Sequence, residues 1–132
     1  MDLPIAEVVG ATGGRLAAGA GAARSTSCHT DSRTVRPGGL FFALRGAALD
    51  GHAFCADAAA RGAAAVVVER EVRVPGAAVV VVQDTWRALY DLAGHVLDRV
   101  APLVVGVTGS NGKTSTKEMA AAVLGVRHRV LR

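Results

Sequence analysis

Four short apolar runs punctuate the chain: residues 40–44 (LFFAL), 64–69 (AAVVVE), 78–82 (AVVVV) and 103–107 (LVVGV). None alternates with polar positions, which predicts strands buried in the manner of a parallel sheet. Between them lie segments with helical spacing. Residues 4–11 predict a short first helix with Pro4 in its opening turn and Gly13-Gly14 at its end. Asp50 is placed to cap a helix over about 52–61, closed by Gly62. Asp84 caps the clearest helix, 85–100, where Trp86, Leu89, Ala93, Val96, Leu97 and Val100 recur at three- and four-residue spacing. That spacing predicts Trp86 in the core. Residues 115–124 predict a last helix.

The remaining segments read as connections. Residues 19–23 form a small-residue turn between two short strands, and 27–33 alternate loosely enough for a strand. Residues 37–39 (PGG) make a turn, 46–51 (GAALDG) a loop, and 70–76 a charged link containing Pro75. Strands alternating with helices predict an α/β fold with a mainly parallel sheet. Residues 1–101 read as a small N-terminal domain. Residues 102–132 read as the first strand–loop–helix unit of a second, incomplete domain. Its strand at 103–107 is apolar on both faces and needs flanking strands that the remaining residues do not supply.

Composition narrows the function. Hydrophobic content of 51% and a mean hydropathy of +0.34 fit a folded chain, and no apolar run approaches the roughly eighteen residues of a membrane span. The acidic start, MDLPIAEVVG, lacks the basic segment of a secretory signal, so a cytoplasmic location without membrane insertion is expected. The net charge of +4 comes from scattered arginines, dense only at Arg127, His128, Arg129 and Arg132. Without a basic cluster and exposed aromatics, nucleic-acid binding is not expected. Cys28 and Cys55 lack metal-ligand or CxxC spacing and are expected as free thiols, buried or half-buried.

The strongest chemical signal is residues 103–119, LVVGVTGSNGKTSTKEM. An apolar run enters a glycine turn, then Lys-Thr, then a helix, which is how a chain cradles nucleotide phosphates. Gly109 and Gly112 allow successive amides to face phosphate oxygens. Thr108, Gly109, Ser110, Asn111, Gly112, Lys113, Thr114 and Ser115 form the predicted ATP site. Lys113 supplies the charge at the outer phosphates, and the Thr114 hydroxyl suits a magnesium ion. Both lysines of the chain, Lys113 and Lys117, fall here. The first glycine of G-x-x-x-x-G-K-[ST] is missing: Val107 stands there, with Gly106 one place off.

Two blocks resemble the Mur ligase family: residues 30–69, with TDSRTVRPGGLFFALRG and DGHAFCADAAARGAAAVVVE, and residues 107–119, VTGSNGKTSTKEM. The second has the family's T-G-x-x-G-K-T form, which lacks the earlier glycine. Ser110 and Lys117-Glu118-Met119 look most like the members that add D-alanyl-D-alanine. Siblings adding the third residue more often read T-G-T-N-G-K-T-T-T. The resemblance implies a three-domain ATP-dependent ligase of cell-wall precursor synthesis. Its substrates would be a UDP-N-acetylmuramoyl tripeptide and D-alanyl-D-alanine, joined through an acyl phosphate. The 132-residue chain alone is expected to be inactive.

By the same resemblance, the N-terminal block would hold the UDP end of the substrate. Ser32 matches a hydroxyl that donates to it, and the Gly46 loop lets backbone approach it. Arg33 is open between phosphate neutralisation and a salt bridge, and Asp50 between ligand contact and helix cap. His52 reads more readily as structural. Ala47 and Ala48 stand where some relatives carry polar side chains, so contacts to the uracil are in question. His29, His95 and His128 have no assigned role. Two other readings remain: a non-catalytic UDP-sugar-binding module, and a sibling ligase adding the third peptide residue.

Overall fold

A computed structural model describes residues 2–131, which divide between Val100 and Ala101 into two compact units. Arg132, counted above with the basic tail, lies outside the described residues. The first unit runs β1 (Leu3–Pro4), α1 (Ile5–Thr12), β2 (Arg15–Ala18), β3 (Arg24–Ser25), β4 (Ser27–His29) and β5 (Gly39–Phe42), then α2 (Cys55–Ala60), β6 (Ala65–Val68), β7 (Ala78–Val81) and α3 (Thr85–Val100). Single 3-10 turns at Ser32–Thr34 and Gly51–Phe54 precede β5 and α2.

Five strands form one sheet in the order β2-β7-β6-β5-β4. The four from β4 to β7 are parallel, and β2 joins β7 antiparallel at the edge. The unalternating apolar runs now have their cause. Leu40, Phe42, Ala65, Val67, Ala78 and Val80 pack on one face with Ile5 and Val8 of α1 and Ala88 and Leu92 of α3. Phe41, Ala43, Val66, Val68 and Val79 pack on the other with Cys55 and Ala58 of α2. Strands β5, β6 and β7 are apolar at every position because both of their faces are covered. The short strands β1 and β3 pair as a separate antiparallel ribbon.

Four expectations are corrected. Strand β4 stops at His29, and the chain then turns at Ser32–Thr34, where Asp31 caps the turn by accepting from the Arg33 amide. Cys28 is exposed, while Cys55 is buried. Trp86 is not in the core: it is 46% exposed, as Leu97 and Val100 are also exposed. The helix buries Thr85, Ala88 and Leu92, with Leu89 and Val96 of the predicted face half-buried against the same core. Apolar residues lie on two sides of α3, and periodicity alone does not say which side meets the sheet.

The fourth correction lies in the second unit. Residues 103–107 form no strand, and Leu103 is 84% exposed. A lone extended segment has no ladder to satisfy its amides and carbonyls and no sheet face against which to bury its valines. The helix that follows, α4 (Lys113–Leu124), does form. Its hydrogen bonds lie within the segment itself.

Candidate functional site

In the first unit the candidate residues follow the carboxyl ends of the parallel strands, the edge at which open α/β sheets hold ligands. Asp31, Ser32 and Arg33 follow β4; Gly46, Asp50 and His52 follow β5; Glu69 and Arg70 follow β6; Asp84 and Trp86 follow β7. The loop after β5 is closed twice. Gly46 N donates to Leu49 O at 2.9 Å, and the backbones of Arg45 and Asp50 pair in an isolated antiparallel β-bridge. At Gly51 a Cβ would stand 2.6 Å from the Ala43 carbonyl carbon and 2.7 Å from Leu44 N, so only glycine fits.

Asp50 and His52 are brought into direct contact. Asp50 Oδ1 accepts from the His52 amide at 3.0 Å and from its Nδ1 at 2.6 Å. Oδ2 accepts from the two terminal nitrogens of Arg70 at 3.3 and 3.2 Å. These donors, the His52 amide first, then its imidazole, hold the Asp50 carboxyl down to about 2. His52 is buried, and its Nε2 accepts from the Glu69 amide at 2.8 Å. With Nε2 an acceptor, the proton sits on Nδ1, which fixes the tautomer. Glu69 in turn accepts from Thr85 N at 3.0 Å and Thr85 Oγ1 at 2.9 Å, anchoring the start of α3.

Ser32 and Arg33 have other partners. Arg33 grips Asp31, with Nη2 donating to Oδ2 at 2.7 Å and Nε to Oδ1 at 3.0 Å. The Arg33 side chain, then its amide, holds Asp31 at about 2. Ser32 is buried and its hydroxyl donates to Asp57 of α2, lowering that carboxyl too. Arg33 is therefore salt-bridged, and the buried Ser32 hydroxyl faces Asp57. Sequence reading missed Asp57, Glu69, Arg70 and the placement of Trp86. Glu69-Arg70 had a usable signal, a charged pair directly after a buried parallel strand.

In the second unit Gly109 and Gly112 have φ of 148° and 75°, values that L side chains rarely adopt. Gly112 is the N-cap of α4 in a left-handed conformation, with no side-chain cap hydrogen bond. The first amides of α4 thus have no side-chain acceptor over them, and the helix dipole adds positive potential there. Lys113 Nζ folds back on the loop, donating to Gly109 O and, at 3.5 Å, to Ser110 O. Thr108, Ser110, Asn111, Thr114 and Ser115 are around it and exposed. The chemistry of this turn suits a chain of phosphates: it brings together helix-start amides without a side-chain cap, a lysine and exposed hydroxyls. For a metal, Thr114 offers a single hydroxyl. Among the described residues no cluster of His, Cys, Asp or Glu could hold an ion.

The profile of the Mur ligase family catalytic domain matches residues 25–122. The chain belongs to the Mur ligase family. Within that family, it is 41% identical over 132 aligned positions to a UDP-N-acetylmuramoyl-tripeptide–D-alanyl-D-alanine ligase of Treponema pallidum, covering 90% of this chain and 28% of the relative. A Bacillus subtilis ligase of the same name is 47% identical over 103 residues, covering 76% of this chain and 22% of the relative. A 2,6-diaminopimelate ligase of Geobacter sulfurreducens is 48% identical over 101 residues, covering 73% and 19%. Among solved structures, MurF from Acinetobacter baumannii superposes with a TM-score of 0.85 at 32% identity, over 98% of this chain and 28% of that one. MurF of Thermotoga maritima in complex with ADP gives 0.68 at 36% identity, covering 81% of this chain and 25% of that chain. This Mur ligase chain thus spans 19–28% of the length of these relatives. No helix among the described residues is long and apolar enough to cross a membrane.

Proposed function

We propose that this chain is the N-terminal part of an ATP-dependent ligase of peptidoglycan precursor synthesis, acting in the cytoplasm. The ligase joins D-alanyl-D-alanine to a UDP-N-acetylmuramoyl tripeptide. In this reading residues 1–101 are the UDP-substrate domain and 102–132 open the ATPase domain. The observation that carries it is the uncapped start of α4 behind left-handed Gly112, with Lys113 in the T-G-x-x-G-K-T turn of this family.

ATP passes its γ-phosphoryl group to the terminal carboxylate of the tripeptide, giving an acyl phosphate and ADP. The amine of the dipeptide then attacks the acyl carbon, forming the amide and releasing phosphate. Residues 108–115 supply the binding. The amides of 109–113 orient the β- and γ-phosphates, and Lys113 leaves its loop carbonyls to neutralise charge that grows on the transferring group. Thr114 would ligate the magnesium ion that accompanies the nucleotide. At the carboxyl edge of the sheet, the Gly46 loop lets the protein backbone approach the UDP. Arg33 and Arg70 supply positive charge, and Ser32 exchanges its Asp57 partner for a phosphate oxygen. Both ring nitrogens of His52 are engaged, so His52 and Asp50 serve by holding the loop.

The relatives named as D-alanyl-D-alanine ligases, and Ser110 with Lys117-Glu118-Met119, support the dipeptide as acceptor. The Geobacter relative keeps a sibling reading in play, in which a third amino acid is added to the UDP-linked dipeptide. The test is a ligation assay on the protein isolated from its own cells. Phosphate release that requires both tripeptide and D-alanyl-D-alanine, with the pentapeptide mass as product, is expected. Release requiring the UDP-linked dipeptide and a free amino acid would move the assignment to the sibling. UDP-sugar binding without any release would leave a non-catalytic module.

A further inference from the structure

Trp86 lies where α3 begins, just past the carboxyl end of β7. Its one polar atom, Nε1, donates to the carbonyl of Arg45 at 3.2 Å. The 46% of the residue left exposed is therefore largely ring carbon. Arg45 directly precedes the Gly46–Leu49 turn, which is itself closed by the Gly46–Leu49 hydrogen bond and the backbone β-bridge between Arg45 and Asp50. Thr85, immediately before Trp86, is fully buried and held by Glu69 through both its amide and its hydroxyl. The indole is thus fixed from both sides, on one side by the loop and on the other by the helix start.

The turn beside it has no side chain able to read a base. Ala47 and Ala48 offer methyl groups, and Leu49 is exposed. A base entering this loop meets backbone groups on its edges and needs an apolar surface for its face. We infer that Trp86 is the stacking platform for the base of a pyrimidine nucleoside diphosphate bound at the Gly46 turn. The inference rests on the UDP reading of this edge. Flat aromatic rings are good partners for bases because stacking needs no matched hydrogen bonds. A preset indole also forms the contact without first being ordered. The exposed Tyr90, Leu97 and Val100 lie further along α3 and are not part of this site.

Trp86 is the sole tryptophan of the 132-residue chain, so its fluorescence reports on this position alone. UDP titrated into the chain should change that fluorescence saturably, and pyrophosphate, which has no base, should not. Calorimetry run in parallel should show UDP binding about tenfold weaker in Trp86→Leu. Trp86→Phe keeps a ring but loses the N–H, and should stay within about threefold of the parent. Equal losses in both variants would instead make Trp86 a residue that merely pins the loop, and would overturn the inference. Heat of UDP binding with unchanged fluorescence would overturn it as well. Absence of UDP heat in the parent chain would remove the UDP reading itself, and the inference with it.

Discussion

His52→Phe separates a structural histidine from a ligand contact. The imidazole is buried, and both of its nitrogens are engaged, at 2.6 Å to Asp50 and 2.8 Å to the Glu69 amide. Phenylalanine fills much the same space and removes both hydrogen bonds. The Glu69 amide is then left without its acceptor, which costs about 1–3 kcal/mol for a buried donor. Losing the bond to Asp50 adds to this, so a total of about 2–3 kcal/mol is expected. For a unit of this size that corresponds to a fall in Tm of roughly 10–20 °C. Urea and thermal melts of the 132-residue chain, followed by circular dichroism, measure it. His52→Gln, whose amide can offer an acceptor to Glu69 and a donor to Asp50, should recover part of the loss. UDP affinity, measured well below the melting temperature, should be little changed. A variant as stable as the parent but unable to bind UDP would refute the reasoning, because the ring would then serve the ligand and not the loop.

Glycine positions make a second contrast. Gly51→Ala forces a Cβ against the Ala43–Leu44 backbone and should destabilise by more than about 2 kcal/mol. Gly46→Ala meets nothing nearer than Leu49 O at 3.5 Å, so it should melt like the parent while binding UDP more weakly. Acid stability offers a third test. Asp31 and Asp50 are held at about 2, against an ordinary 3.8. The unfolded chain therefore takes up protons first. Their stabilisation is fully present above the ordinary value and is lost as pH falls from about 4 through about 2. Carboxyl chemical shifts in an NMR titration should show both midpoints near 2, and Arg70→Ala should raise that of Asp50. Finally, the 132-residue chain should release no phosphate from ATP. Release that disappears in Lys113→Ala would show that prediction wrong.

The parallel sheet was legible because strands covered on both faces carry apolar residues at every position. Asp84, Asp50 and Gly62 marked helix limits through local chemistry, which sequence shows directly. The glycine-lysine turn was legible for the same reason: amides, lysine and helix start are contiguous. What escaped was non-local. The bonds from Ser32 to Asp57, Arg70 to Asp50 and Glu69 to Thr85 join residues 16–25 apart, through a register that only the folded sheet supplies. Trp86 was misplaced because the buried face of α3 is centred on Thr85, Ala88 and Leu92 and takes in Leu89 and Val96 of the predicted stripe, which leaves Trp86 at its exposed margin. The run at 103–107 has the composition of a strand, but strand formation depends on partners and not on composition alone.

The most direct test of the central claim is hydrogen–deuterium exchange of the 132-residue chain with and without UDP. The account predicts slower exchange in the turn at 31–34 and the loop at 46–52, and at the start of α3 beside Trp86, where the carboxyl edge of the sheet would hold the nucleotide. UDP binding with protection confined to other segments, or with none, would contradict it and detach the UDP site from these loops.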